Sequence, residues 1–141
     1  MSLIKQVEAL GKNTLIQDIT FTNEGAGAVS VFTVTGDVLV SIIPIITTDL
    51  TSAAAANIRF GVVGNTDAMI VNSLATDLDA RGIWVDQTPD NEIEPFERIR
   101  RYIITDGNDV ILTLDAQIDT GVIRFYCFWT KLSSDGVVVN A

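Results

Sequence analysis

The final part of the chain alternates between two faces with a period of two residues. One face is uniformly apolar and consists of Ile123, Phe125, Cys127 and Trp129. The other face carries Val122, Arg124, Tyr126 and Phe128, with Leu132 beyond them. This alternation, rich in β-branched and aromatic residues, predicts a long strand. A half-solvated strand carries Lys, Glu or Ser on its outer face. The second face therefore indicates either a covering loop or a second buried surface, such as another sheet or a neighbouring subunit.

The same pattern predicts further strands in the first part of the chain. A strand begins at Thr14, a second spans Val29–Thr35, and the apolar run Val38–Ile46 is typical of a buried strand. The Gly36-Asp37 pair between the last two predicts a tight hairpin of the II′ kind. Pro44 cannot donate to a ladder, so we expect a bulge, a bend or an edge there.

The second half of the chain predicts shorter strands separated by Gly and Asp turns. The candidate segments are Ile58–Val62, Ala68–Val71, Ile83–Val85, Arg98–Thr105 and Val110–Leu114. The Ala53–Ala56 run is compatible with one helical turn. Asp106–Asp109 is a strong turn signal. The segment Asp86–Glu97 has two prolines and five acids without a base, which predicts an exposed loop.

About eight short strands and no convincing long helix predict an all-β fold. The architecture we expect is an antiparallel β-sandwich or a jelly-roll-like barrel. A chain of 141 residues is enough for one domain, which we place at residues 13–141. Residues 1–12 are weakly patterned, and their apolar positions suit a short helix and an extended arm equally.

The charge balance narrows the choice of partner. Nine basic and eighteen acidic residues give a net charge of −9, which argues against nucleic acid and against an anionic membrane. No apolar run approaches the ~20 residues of a membrane span. The first residues lack the features of a signal peptide. We therefore expect a protein made in the cytoplasm, without a signal peptide or a transmembrane segment.

The residue types that catalysis needs are scarce. The chain has no histidine and one cysteine, Cys127. Histidine-based nucleophile systems and histidine-containing metal sites are thereby excluded. Cys127 lies on the apolar face of its strand, where it acts as a small hydrophobe. The sequence predicts no catalytic, cofactor-binding or metal-binding residue, and an enzyme is the weakest of the hypotheses.

The acidic loop is the main candidate for cation binding; Asp106, Asn108 and Asp109 are a weaker one, because as an EF-hand start their segment lacks the Gly and the closing Glu at the required positions. The carboxylates of the acidic loop are Asp86, Asp90, Glu92, Glu94 and Glu97. Calcium takes several carboxylate oxygens, but this spacing matches no defined calcium loop. A solvated loop is the favoured interpretation.

Interface residues are predicted on three segments. Arg98 and Arg100 share a face with Tyr102, and Arg beside Tyr is enriched at protein–protein contacts. Ion pairing with the neighbouring acids explains these arginines equally well. The second segment is the outer face of the final strand, with Arg124, Tyr126 and Phe128. The third is the arm, whose apolar residues are Leu3, Ile4, Val7 and Leu10.

Two parts of this pattern resemble small virion proteins of tailed phages. The first is Val31-Phe-Thr-Val-Thr-Gly-Asp-Val-Leu-Val40, which continues through Ile42–Thr48 to the Ala-rich Ala53–Asn57. The second begins at Gly121-Val-Ile-Arg-Phe and closes with Trp129-Thr-Lys-Leu-Ser-Ser-Asp-Gly-Val-Val-Val139. The likeness covers roughly half of the chain. Residues 64–97 show no match, and the matching motifs are structural rather than catalytic.

The resemblance implies a virion structural role without catalysis or a cofactor. The type it favours is a capsid decoration, or cement, protein: a homotrimer of β-sandwich subunits on the outer shell. Its partners would be further copies of itself and the major capsid protein or another virion protein. One alternative is a tail, neck or fibre-base component. Another is a carbohydrate-binding β-sandwich in which Trp84 stacks on a sugar ring, although core packing is the better explanation for Trp84.

Overall fold

The computed structural model describes residues 13–141, and the chain there is built from strands joined by short turns. Residues 1–12, where the arm is predicted, lie outside the described part. The eleven strands are β1 (Thr14–Glu24), β2 (Gly27–Thr35), β3 (Val38–Thr51), β4 (Asn57–Val62), β5 (Asn65–Leu74), β6 (Gly82–Ile83), β7 (Asp90–Asn91), β8 (Tyr102–Ile104), β9 (Val110–Leu114), β10 (Ile118–Lys131) and β11 (Val137–Asn140). The helical segments among these residues are short 3-10 turns, at Ala75–Asp77 and Phe96–Arg98.

The strands form two antiparallel sheets. Sheet I has the order β1-β10-β3-β6-β7, with β8 also paired to β3, and sheet II has the order β11-β2-β9-β4-β5. Strands from the beginning and the end of the chain thus alternate within each sheet: β10 lies between β1 and β3, and β9 lies between β2 and β4. This interleaving is the double Greek key of a jelly roll. The all-β sandwich expected from the sequence is confirmed. The strand number exceeds the expected eight because β6 and β8 share the position beside β3, β7 pairs with the outer side of β6, and β11 extends sheet II.

The core lies between the inner faces of the two sheets. Phe60 of sheet II is its centre: its ring centroid lies 5.0 Å from that of Phe125 in sheet I and 6.1 Å from that of Trp84. Both aromatic pairs are tilted, a favourable arrangement for aromatic rings. Ile123, Phe125 and Cys127 are fully buried, as the alternation of the final strand predicts.

Four local predictions differ from the structure. Gly36-Asp37 is not a hairpin, because β2 belongs to sheet II and β3 to sheet I, so the pair carries the chain between sheets. Ala53–Ala56 is a turn rather than a helical turn. The strand predicted at Ala68–Val71 is the longer β5. The strand predicted over Arg98–Thr105 shrinks to β8, because a 3-10 turn ends at Arg98 and the next three residues are irregular.

Pro44 lies within β3 at a position where its missing N–H is harmless. β8 covers the edge of β3 at Val38–Val40, and β6 pairs with it only at Ile45. The Pro44 carbonyl accepts a hydrogen bond from the Trp84 backbone N–H at 2.9 Å. The N–H and C=O of one residue point to the same side of a strand. A residue with an N–H at position 44 would therefore point it into the gap between β6 and β8. Pro44 therefore lies beside a local gap in the pairing of β3, although β3 is an interior strand of sheet I.

Burial makes the Cys127 thiol chemically inert. Its surroundings raise the pKa of Cys127 to about 12 by desolvation, and the thiolate is the reactive species. We expect native protein at pH 8 to resist a thiol-specific reagent and to react fully once it is unfolded in guanidinium. The release of the reagent's chromophore measures this, and rapid labelling of the folded protein would contradict the burial of Cys127.

Candidate functional site

The outer face of sheet I, which points away from the core, is apolar across four strands. Cα pairing sets Ile16, Tyr126 and Ile43 side by side from β1 through β10 to β3. A parallel row sets Ile45 of β3 against Ile83 of β6, and another sets Leu39 against Ile103 of β8. We call this surface the sheet I outer face; its members are Ile16, Leu39, Ile43, Ile45, Ile83, Ile103, Val122, Tyr126 and Phe128.

Two members of this face are strongly exposed, and the other seven are half-buried. Ile16 retains 54% and Ile103 retains 68% of its accessible surface, and Tyr126 and Phe128 are half-buried. Scattered apolar residues are ordinary on a protein surface, but a contiguous apolar patch marks an interaction site. Within residues 13–141, no loop covers Ile16 or Ile103, so the sequence-based alternative of a loop-covered face does not hold at these positions.

A bidentate ion pair lies within the sheet I outer face. Arg124 donates from Nε to Asp18 Oδ1 at 2.8 Å and from Nη2 to Asp18 Oδ2 at 3.1 Å. The hydrogen bond from Arg124 lowers the pKa of Asp18, partly opposed by desolvation. The pair neutralises both charges, because the two residues face each other directly in the β1–β10 ladder.

The Asp18–Arg124 pair gives a pH-dependent contribution to stability. A lowered carboxyl pKa stabilises the fold above the ordinary Asp value of 3.8, and this contribution is lost as the pH falls through the folded-state pKa. We expect Asp18→Asn to be less stable than the wild type at pH 7 and equal to it at pH 2. Urea unfolding at both pH values measures the difference. Asp67→Asn, on an exposed acid of β5, controls for the loss of one negative charge, and a difference that persists at pH 2 would contradict the assignment.

Arg98 occupies the place where the sequence suggested a cation. Its guanidinium pairs with Asp86, lies 3.5 Å from Asp90 Oδ2 and lies 3.1 Å from Glu94 Oε1. The Glu94 side chain is only 2% exposed, so it is buried against this positive charge rather than solvated. The ion-pair alternative for Arg98 thus matches the observed contacts. Within residues 13–141, no group of acids or cysteine is arranged to hold a metal ion.

Arg100 and Tyr102 lie at the edge of sheet I, beside β3. The Tyr102 hydroxyl donates to the Met69 carbonyl at 3.3 Å, and burial raises its pKa. The Arg100 carbonyl accepts from Ser41 Oγ at 3.1 Å. With Arg98, these residues line a small cleft of about 20 Å³ whose other walls are mostly apolar. None of its described lining residues is a carboxylate, so the cleft offers no acid–base pair.

Trp84 is a core residue. It is fully buried, and its Nε1 donates to Ser73 Oγ at 2.9 Å. A ring without exposed surface cannot stack on a sugar. The carbohydrate-binding alternative is therefore wrong in the form that used Trp84 as its platform.

The structure places the two described groups of predicted interface residues on different parts of the molecule. Arg124, Tyr126 and Phe128 lie together on the sheet I outer face, whereas Arg98, Arg100 and Tyr102 lie around the cleft. The arm residues Leu3, Ile4, Val7 and Leu10 lie outside the described residues.

Sequence reasoning missed the aliphatic part of the sheet I outer face. The unassigned members include Ile16, Leu39, Ile43, Ile45 and Ile103. A usable signal existed at Val38–Ile46, because an apolar run without alternation indicates a strand that is covered on both sides.

None of the described helical segments has the length and apolar character needed to cross a membrane.

Comparison with solved structures finds a distant likeness. No family model matches the chain, and no curated protein matches it. A chain in the acidic stable capsid structure of Helicobacter pylori bacteriophage KHP30 is similar, at 11% identity and a TM-score of 0.41, over 91% of this chain and 94% of that one. A likeness at this level does not define a function, which has to be inferred from the residues and topology of the chain itself.

Proposed function

We propose that the protein is a non-enzymatic virion structural protein, of the decoration type, that self-associates and docks on the outer shell of a tailed phage. The observation that carries the proposal is a jelly roll whose exposed surface includes a contiguous apolar sheet face. Jelly rolls serve chiefly as capsid domains, lectins and cupins. The fold alone suggests these uses only by analogy. The residues of this chain decide which of the uses fit it.

The residues disfavour the two other common uses of the fold. A cupin-like metal centre needs ligands in the barrel, and this chain has no histidine and no metal-holding cluster within its described part. A lectin-like site on Trp84 is excluded by its burial. Of the three uses, assembly into a capsid is the one that these residues leave. The apolar sheet I outer face supports it, because such faces are buried between subunits. The motifs shared with small tailed-phage virion proteins support the virion setting.

Fractionation of purified particles tests the proposal. The particles to use are those of the phage whose genome encodes this chain, separated into heads and tails. We expect the protein in the head fraction, at a fixed ratio to the major capsid protein as measured by quantitative mass spectrometry. Recovery in the tail fraction would favour the tail, neck or fibre-base alternative. Its absence from particles would contradict a virion role.

The predicted arm provides a second test. Residues 1–12 contain Leu3, Ile4, Val7 and Leu10, and we propose that they attach the protein to the shell. Deletion of residues 1–12 is expected to abolish binding to particles and to leave the mass of the free protein's oligomer unchanged. Co-sedimentation with shells lacking the protein measures attachment. Full occupancy after the deletion would contradict the arm assignment.

A further inference from the structure

We propose that the sheet I outer face is the surface on which a second copy of this chain docks. The inference deepens the proposed function, since it assigns the self-association of a decoration protein to particular strands. Three properties of the face carry it: its continuity, its charge and its size.

Continuity distinguishes the sheet I outer face from the outer face of sheet II. On sheet I, the register sets Ile16, Tyr126 and Ile43 in one uninterrupted row across adjacent strands. On sheet II, the exposed apolar residues lie on the edge strands, with Val71 on β5 and Val139 on β11. The central strands between those edges carry polar positions in their register, including Ser30, Arg59 and Thr113. The central strands of sheet I also carry polar outward positions, at Ser41, Arg124 and Thr130. Most of their outward positions are nevertheless apolar, so among the described strands sheet I has the more apolar outer face across its centre.

Charge favours a second copy over a partner with a strong charge of its own. The chain has a net charge of −9, so most of its surface repels another copy. On the sheet I outer face, Arg124 neutralises Asp18 through two hydrogen bonds. At its rim, Arg81 pairs with Glu92 at 3.3 Å. Arg101, close to Ile103 in sequence, adds one positive charge. Two such faces can meet without like-charge repulsion, and neither presents a charged cluster that would recognise an acidic or a basic ligand.

The size of the face suits a contact between two sheets. At about 3.3 Å per residue, the stretch from Val122 to Thr130 is about 26 Å long, and four strands at about 4.8 Å are about 19 Å wide. The face therefore covers about 500 Å² in projection, or about 1,000 Å² for two copies, which is about the minimum area expected of a biological interface. Two sheets pack face to face at about 10 Å by interdigitating side chains. Tyr126 and Phe128 are the large central residues that such a contact would bury.

The test measures the solution mass of the full-length protein by multi-angle light scattering over a range of concentrations. We expect the wild type to be an oligomer of the 15.2 kDa chain. Ile16→Lys places a charge within the contact and should weaken association by roughly 30-fold or more, the loss typical of an interface hot spot. Val71→Lys is the matched control, because Val71 is 52% exposed and Ile16 is 54% exposed. Circular dichroism and the unfolding midpoint confirm that both variants are folded.

Each outcome decides the inference. An oligomer that dissociates with Ile16→Lys and persists with Val71→Lys supports it if the chains are paired, and a trimer overturns it, because a face that meets its own copy pairs chains in twos. A wild-type monomer overturns it, and so does an oligomer that Ile16→Lys leaves intact. Binding to particles is scored separately. A monomer that still decorates particles overturns this inference and leaves the proposed function standing. An oligomer that is absent from particles overturns the proposed function and leaves this interface standing.

Discussion

Trp84→Ala is expected to lower the free energy of unfolding by about 3–5 kcal/mol, the range for removing a large buried aromatic side chain. Trp84 is fully buried against Phe60, and its Nε1 donates to Ser73. Because small domains have only about 5–15 kcal/mol of stability in total, the variant should unfold at much lower denaturant concentration. Guanidinium unfolding, followed by circular dichroism, measures the loss.

Trp129→Ala is the control for this substitution. Trp129 is half-buried near the end of β10. The same truncation there removes fewer contacts and should destabilise the protein less. A loss below about 1 kcal/mol for Trp84→Ala would contradict its burial, given the usual range for core truncations. Such a result, together with glycan binding that depends on Trp84, would restore the carbohydrate-binding hypothesis.

Gly121→Val is expected to produce a second large loss of stability. Gly121 has φ +131°, a backbone conformation that residues with a side chain rarely adopt. A Cβ atom there would lie 2.8 Å from Leu50 Cα and 2.9 Å from the Asp49 carbonyl oxygen. Backbone strain of this kind costs about 1–3 kcal/mol, and overpacking adds about 1–3 kcal/mol. Guanidinium unfolding again measures the change.

Gly25→Val is the matched control for the loss of a glycine. An added Cβ at Gly25 meets no atom within 4 Å, so the change should stay within about 0.5 kcal/mol, as surface substitutions usually do. Equal losses at Gly121 and Gly25 would contradict the role of the close approach to Leu50. Gly121 lies where the ladder between β10 and β3 shifts its register, between Thr120 and Val122. The loss of stability in Gly121→Val therefore also tests this bulge.

Local sequence patterns predicted the strands whose alternation is unbroken. β10 is the clearest example, because each of Ile123, Phe125 and Cys127 is separated from the next by one outward residue. The predicted length of β5 was too short, because register shifts between β4 and β5 interrupt the period of two. The pattern also could not show where the chain changes sheets. A Gly-Asp pair between two apolar runs is compatible with a hairpin and with a crossover, and Gly36-Asp37 is a crossover.

The candidate site depended on contacts that are distant in sequence. Ile16, Ile43 and Ile103 come from different parts of the chain, and only the sheet register places them near Tyr126. The sequence identified the aromatic part of this surface through the unusual outer face of the final strand. Arg98 shows the reverse case, since its position beside a tyrosine suggested an interface while its side chain is surrounded by Asp86, Asp90 and Glu94.

The proposed role of this jelly roll is that of an assembly element on a phage shell. A cryo-electron microscopy map of the particle whose genome encodes the chain tests this role most directly. We predict density for the jelly roll on the outside of the head shell, with the sheet I outer face against a neighbouring copy of the same protein. Density confined to the tail would contradict the proposed role, and copies on the shell whose sheet I outer face is bare to solvent would contradict the interface assigned to that face.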